Sequence, residues 1–350
     1  MPRPTIAFLP SHPAQLWLMR PVAERVRAFA DPVWIVRDKD CLLDLARAMN
    51  LEFDVISAAQ RSLLKNATTL AADIIRAGRL QRRRRIDCWF TKYGAACIAA
   101  RLTGRRSVAF NDDDADVVPL IAATAYPFAN TVLATHVTRM GRYERRSRRF
   151  RGNFELLYLH PDRFTPDRNV VTEAGIDARR PYILIRLSAL TAHHDVGQRG
   201  VSEDMLRKIL AMAEDRFRVY ISSEKPLAPE FESFRLPIPA ERMHHALAFA
   251  SLLLGDSQTM TSEAAVLGTP SVRISSFVGR LSYLDELERC ELSFGFAPGR
   301  EGEAFDCVRS LLATPNSEAT FQARRLAFLE ACGDPLPWVV EQIRSIACKG

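Results

Sequence analysis

Along most of the chain, short unbroken apolar runs alternate with longer segments whose apolar residues recur at helical spacing. The runs 6–9, 33–36, 54–56, 86–90, 107–110 and 131–135 read as strands, the last being the final strand of the first half. Helices are expected between them at about 14–29, 41–49, 62–80 and 94–102, with Leu16, Met19, Val22, Val26 and Phe29 on the inner side of the first. The alternation restarts with strands at 182–187, 218–222, 235–238, 252–254 and 292–297, and helices at 241–250, 260–267, 283–289, 303–312, 318–331 and 337–347. Such alternation predicts two parallel sheets with helices on both faces. Segment 156–167 has two prolines and no period and reads as a linker, so the boundary is expected between about 165 and 180. The expected division is a first Rossmann-like domain over 1–165, a second over 175–335, and a terminal helix over 336–350.

One stretch organises the second half: SLLLGDSQTMTSEAAVLGTPSVRISS, residues 251–276. Leu252 to Leu254 form a buried strand bounded by Gly255 and Asp256, and Ser257, Gln258 and Thr259 supply helix-start chemistry before Met260. Gly268 ends that helix and Pro270 opens the next strand. A strand running into a helix N-terminus gathers free N–H groups and the positive end of the helix dipole, which suits a diphosphate. Glu263 shares roughly the face of Ser257 and Thr259 and could accept hydrogen bonds from ribose hydroxyls. The competing reading is a plain strand–helix joint, with Ser257 an N-cap and Glu263 in solvent.

Charge changes the picture locally. The net charge of +7 comes largely from RLQRRRR (79–85) and RMGRYERRSRRFR (139–151). These fit either a solvated helix end and a surface loop, or a surface for anionic lipid headgroups or a diphosphate-linked acceptor. No motif that reads DNA or RNA accompanies them, so no nucleic-acid partner is expected. With 47% hydrophobic residues and no apolar run of about 20, the cytoplasm is the expected compartment, with attachment at the inner membrane surface left open. Seven scattered cysteines without metal-ligand spacing read mostly as small buried residues. No metal and no cofactor beyond the substrate are expected, and the oligomeric state is open.

Other candidates lie at strand ends, where open α/β sheets collect ligands. His12 follows the first strand and is a candidate general base. FNDDDAD follows the strand 107–110; Asp112 and Asp113 could form an acidic lip in which one carboxyl stays protonated, or a solvated turn. Arg186 lies within a strand, where its charge needs an anion or carboxylate. His193 and His194 lie beside Asp195 in the loop after it, and Ser222, Ser223 and Glu224 end the next strand. No GxGxxG follows the first strand and no P-loop is present.

The segment GDSQTMTSEAAVLGTP resembles the DSGG-type nucleotide loop of non-hydrolysing UDP-N-acetylglucosamine 2-epimerases and GT-B glycosyltransferases. The whole chain resembles the family called domain of unknown function 354 (DUF 354), described as predicted glycosyltransferases. SHPAQLWLMRPV, VRDKDCLLDL, FNDDDAD, GNFELLYLHPDRFTPD, YILIRLSALTAHHDVGQRG, YISSEKPL and MHHALAFASLLLGDSQTMTSEAAVLGTPSVR carry this resemblance. It implies an α/β fold of GT-B type, two Rossmann-like domains with parallel sheets facing across a cleft, the second binding a UDP-linked sugar, and the terminal helix 336–350 crossing back to the first domain. It implies His12 as the base, Met243 and His244 beside the uracil, and Asp256, Ser257, Gln258, Thr259, Met260 and Glu263 around diphosphate and ribose. The acceptor would be a cell-surface polysaccharide or a lipid-linked molecule. The alternatives are an epimerase that moves a proton with Asp112 or Asp113 and His193 or His194, and a non-catalytic nucleotide-sugar binder. Gln258 and Thr259 stand where the DSGG glycines would be, and SHPAQ replaces an arginine-bearing phosphate loop; both departures weigh against the epimerase.

Overall fold

The run TIAFL becomes the central strand β1 (Thr5–Leu9), buried on both faces, as parallel strands covered by helices must be. The computed structural model describes residues 3–58, 63–177, 179–188, 200–214 and 216–348, with backbone alone over 63–68. The chain divides into two compact units, residues 1–158 with 332–350 and residues 159–331. The first division falls inside the segment read as a linker.

In the first unit β1 is followed by α1 (Pro13–Val26), β2 (Asp31–Asp38), α2 (Leu42–Ala48), β3 (Phe53–Ala58) and α3 (Leu63–Arg83). Then come β4 (Ile86–Thr91), α4 (Gly94–Leu102), β5 (Arg106–Asn111), α5 (Pro119–Ala125), β6 (Thr131–Thr135), β7 (Ser147–Phe150) and α6 (Leu156–Leu159), the last at the boundary. The seven strands are parallel in the order β3-β2-β1-β4-β5-β6-β7. This is the doubly wound order, whose direction reverses between β1 and β4. Ala7, Leu9, Ile35, Ile86 and Trp89 pack against Ala96, Ala99 and Ala100 of α4, where small side chains bring helix and sheet close together.

The second unit contains α7 (Arg168–Glu173), β8 (Tyr182–Leu187), α8 (Glu203–Ala213), β9 (Arg218–Ser223), α9 (Met243–Ala248), β10 (Leu252–Gly255) and α10 (Gln258–Leu267). β11 (Ser271–Ile274), α11 (Ser282–Arg289), β12 (Ser293–Phe296), α12 (Glu301–Ala313) and α13 (Ser317–Cys332) complete it. Its five parallel strands run β12-β11-β10-β8-β9, reversing between β8 and β10. Ile183, Ile185, Leu252, Leu254, Val272 and Ile274 meet Met205, Leu206 and Ile209 of α8 and Ala304 and Val308 of α12. The final helix, α14 (Leu336–Ala347), belongs to the first unit, where Arg106 donates to the Ile346 carbonyl at 2.7 Å and Phe150 meets Trp338.

Several expectations need correction. The sheet of the first unit does not end at 131–135, because Ser147 to Phe150 add β7 within the basic segment taken as a surface loop. Its arginines mask the strand pattern, yet as an edge strand it tolerates them. Residues 235–238 form no strand: Arg235 makes one isolated bridge to Ile221, and Pro237 and Pro239 cannot donate to a ladder. Helix α1 stops at Val26, and 27–29 continue only as a turn. Four helices, α5, α6, α7 and α8, have no counterpart among those expected from sequence; α6 falls in the segment read as a linker. Only Cys88 and Cys97 are buried, and burial pushes both thiols up to about 12; Cys41 and Cys348 are exposed.

Candidate functional site

Each sheet reverses its strand order once: Arg186 and Asp256 to Thr259 lie at the ends of β8 and β10 at one reversal, and His12 follows β1 at the other, with Asp112 and Asp113 after the neighbouring β5. In the second unit β8 and β10 end side by side. Gly255 pairs with Arg186 in register, and a Cβ on Gly255 would lie 2.7 Å from the Arg186 carbonyl oxygen, so the approach requires glycine. Asp256 follows, buried, with Oδ1 accepting the Ser188 N–H at 2.7 Å, which ties the two strand ends together. Burial pushes the Asp256 carboxyl above the ordinary range, against the hydrogen bonds from Ser188. Gly200 backs onto the same carboxylate: a Cβ there would fall 2.2 Å from Asp256 Oδ2. His193 and His194, predicted as ligand contacts, lie outside the described residues.

Helix α10 starts directly after Asp256. Ser257 is its N-cap, its hydroxyl accepting the Met260 N–H at 3.3 Å, and Gly268 closes it in the left-handed region at φ 79°. The first-turn N–H groups of Gln258 and Thr259 have no partner among the described residues, as expected for N1 and N2. Ser257, Gln258 and Thr259 are partly exposed, whereas Met260 and all the later residues of α10 are buried. The Gln258 amide reaches Ser275 Oγ at 3.4 Å.

Arg186 extends from β8 on the same row as Ser222 of β9. Its Nη1 donates to Ser222 Oγ at 2.7 Å and its Nη2 to Glu224, while its buried Nε has no partner among the described residues. The in-strand arginine is thus met by Glu224, with one donor left over. Ser223 instead closes a local turn, accepting from Lys225 N at 3.1 Å and donating to its carbonyl.

Glu263 is 4% exposed, which overturns the reading of it as solvated. Its Oε1 lies 3.0 Å from Nε2 of His244, which is also 4% exposed, so two residues predicted as separate ligand contacts form one buried pair between α9 and α10. Phe164 packs edge-on to His244 and against His245, whose Nδ1 accepts the Asp167 N–H at 3.0 Å. Met243 is partly buried and opens α9.

In the first unit, β1 and β4 end at the other reversal. His12 is the N-cap of α1, with Nδ1 accepting the Ala14 N–H at 3.3 Å. A neutral imidazole that accepts at Nδ1 carries its proton on Nε2 and presents a donor there. Asp112 and Asp113 share one cation. Lys92, one residue past β4, places Nζ 2.9 Å from Asp112 Oδ1 and 3.0 Å from Asp113 Oδ2. Burial opposes the Lys92 charge, but the two carboxylates outweigh it and hold its pKa well above the ordinary range. Asp114, fully buried, pairs with Arg139 at 2.8 Å. Beside this group Asp73, also fully buried, accepts from Tyr93 at 2.6 Å and from Arg76 at 2.7 Å. Lys92 falls in the gap between the expected strand 86–90 and helix 94–102, and a lysine at the carboxyl end of a buried strand is the signal that points to it.

Among the described residues, no group of three or more His, Cys, Asp or Glu is placed to hold a metal, and no helix is long and apolar enough to cross a membrane.

Two parallel-sheet α/β units, each with candidate residues at its strand-order reversal, define a protein of GT-B type with two Rossmann-like domains. The structure is similar to a candidate UDP-N-acetylglucosamine 2-epimerase from Listeria monocytogenes (TM-score 0.71, 12% identity, 99% of this chain and 97% of that one). It is also similar to the UDP-GlcNAc 2-epimerase from Neisseria meningitidis bound to UDP-GlcNAc (TM-score 0.64, 12% identity, 97% and 100%). Among glycosyltransferases it is similar to MurG from Acinetobacter baumannii (TM-score 0.60, 13% identity, 98% and 100%). No family model matches the chain, and no curated protein matches it.

Proposed function

We propose that this protein is a glycosyltransferase that binds a UDP-linked sugar at the β8–β10 reversal of its second unit and transfers the sugar to a polysaccharide or lipid-linked hydroxyl acceptor at the inner face of the membrane. The observation that carries this reading is the open first turn of α10 beside Arg186. Two backbone N–H groups without a partner among the described residues and the helix dipole lie at the end of β10, and the adjacent strand β8 carries the guanidinium of Arg186; these supply the positive charge that a leaving diphosphate needs. Nucleotide-bound neighbours of the same fold support it: the Neisseria enzyme is bound to UDP-GlcNAc, and an Anabaena protein is in complex with UDP and glucose. The resemblance to DUF 354 belongs to this proposal, as do the cytoplasmic setting and the assignment of the first unit to the acceptor and the second to the nucleotide.

In this reading the acceptor hydroxyl attacks the anomeric carbon and gives its proton to His12, the carbon–oxygen bond to the diphosphate breaks, and the negative charge passes to the diphosphate at α10. Gln258 and Thr259 N–H donate to it, Arg186 balances it, and no metal is called for. Glu263, held by His244, accepts from ribose hydroxyls, with Met243 and His244 on the base side. His12 serves as base only by giving up Ala14 N–H and re-protonating at Nδ1; in its capped tautomer it donates to the acceptor or sugar instead.

The epimerase alternative is favoured by the likeness to epimerases, but it needs Asp112 or Asp113 free to move a proton. Lys92 occupies both. A non-catalytic nucleotide-sugar binder would show UDP binding without turnover in either assay.

The test is calorimetric titration with UDP beside GDP, ADP, CMP and dTDP, repeated on Glu263→Gln, which keeps the side-chain volume. UDP-selective binding, weakened at least about tenfold in the variant by loss of charged hydrogen bonds, is expected. Binding of none of the nucleotides sinks the proposal. UDP-sugar turnover without solvent deuterium entering the sugar then separates transfer from epimerisation.

A further inference from the structure

The arginines at the amino ends of the first unit's strands find no use in the proposed reaction, because ligands of such sheets collect at the carboxyl ends. Both basic clusters of the sequence send residues there. Arg83, Arg84 and Arg85 immediately precede β4, Arg101 ends α4, Arg105 and Arg106 lead into β5, and Arg145 and Arg146 lead into β7. Acidic partners are few. Asp54 takes Arg83 and Arg84, and Asp87 takes Arg105 at 2.6 Å. Arg85, Arg101 and Arg145 have no carboxylate among the described residues.

Three of these arginines share a pocket of about 160 Å3, lined by Arg101, Arg105, Arg146, Asn130 and the turn Pro127 to Ala129. That volume is about five times the ~30 Å3 share of one liquid water. Arg105 is fixed from outside the pocket by Asp87, and Arg146 is held by the carbonyl of Ala129 in the pocket's own wall at 3.2 Å. Their remaining N–H groups, the Arg101 fork and the Asn130 side-chain amide are left as donors, and no carboxylate lines the space. Holding three like charges around a cavity costs repulsion that an anion removes, and planar forks match phosphate oxygens in pairs.

We propose that the Arg101–Arg105–Arg146 pocket binds a phosphate-bearing anion, at the opposite end of the sheet from the candidate acceptor residues and independently of the nucleotide site. Free phosphate and the phosphate of an anionic lipid headgroup present the same oxygens to it. The surrounding Arg82 to Arg85 and Arg145 extend the positive field along this edge.

The experiment uses the full chain and the variant Arg101→Ser/Arg146→Ser, with Arg216→Ser/Arg309→Ser, two exposed arginines of the second unit, as the charge-matched control. Each is titrated with inorganic phosphate, with and without saturating UDP, and sedimented with phosphatidylcholine vesicles lacking or containing phosphatidylglycerol. Arg101→Lys/Arg146→Lys, which keeps the charge and loses the fork, is run alongside. Expected is binding of phosphate or of phosphatidylglycerol vesicles by the wild type and the control, at least about tenfold weaker in the serine variant, with the lysine variant between. Phosphate binding alone assigns the pocket to a free anion, and vesicle binding alone assigns it to a headgroup. The proposal is overturned if the wild type binds neither, or if the serine variant and the control lose binding equally, which marks diffuse charge and no pocket.

Discussion

Lys92 shows how one side chain redefines the acidic lip at the β1–β4 reversal. Three consecutive aspartates invite a shared-proton reading, but the ammonium between Asp112 and Asp113 turns them into a two-armed ion pair whose members are only 12–25% exposed. Removing the cation leaves two half-desolvated carboxylates. Lys92→Met is therefore expected to cost about 2–3 kcal/mol at neutral pH, somewhat less than for a fully buried pair. The sign with pH follows from charge. Because the folded-state pKa of Lys92 is raised, its stabilisation is complete below the unfolded value near 10.5 and flat through neutrality. The deficit of the variant should therefore be constant between about pH 6 and about pH 9, where Lys92 neither gains nor loses a proton. Thermal melts of both proteins across this range check it; no deficit at neutral pH would show that Lys92 does not hold the two carboxylates. The site residues were legible to different degrees for the same reason. Ser257 and Glu263 follow from helix spacing, whereas the Lys92 bridge and the His244–Glu263 bond join residues 20 and 19 positions apart, and no local pattern encodes such a contact.

At the scale of elements, β11 and α11 are joined by a buried charge. Arg273 is fully buried in the middle of a sheet, with Nη2 3.2 Å from Glu288 Oε1 and with Nε and Nη1 unpartnered among the described residues. Burial lowers the pKa of Arg273 and raises that of Glu288, each against the pull of its partner. Its strand neighbours in register are Gly255 and Gly295, and a Cβ on Gly295 would strike Glu288 Oε1 at 2.2 Å, so the pair lies over a strip without side chains. Such pairs are costly to break and cheap to replace. Glu288→Ala should lose about 3–5 kcal/mol, whereas Arg273→Met/Glu288→Leu should return to within about 1 kcal/mol of wild type or exceed it; denaturant midpoints of the two variants decide. If the double variant is as weak as the single one, the guanidinium has a further role. Strand and helix positions could be read from the sequence because apolar period and turn residues act locally, and 94–102 and 131–135 match α4 and β6 to the residue. β7 escaped because its pattern is set by a sheet edge, and the polar row under α11 escaped because Arg273 looks like a surface residue in sequence.

For the whole molecule, the doubled alternation foretells two parallel sheets, but it carries no sign that the first unit is assembled from two pieces of chain; only the resemblance to GT-B proteins implies that the terminal helix returns to the first domain. Residues 332–350 complete it through α14, whose Leu336, Val339 and Ile343 are buried. A chain ending at Ala331 should expose the surfaces of α1, β4 and β5 that α14 contacts, and is expected to lose soluble yield and the melting transition of the first unit. An unchanged melt would show α14 to be dispensable. The arrangement also has a consequence in time. At translation rates of roughly 5–20 residues per second, about 10–35 s pass between the emergence of residue 158 and that of the helix that seals the sheet begun by β1. The second unit, continuous in sequence, can mature on the ribosome during that interval, while the earlier-made half waits open and needs shelter from aggregation.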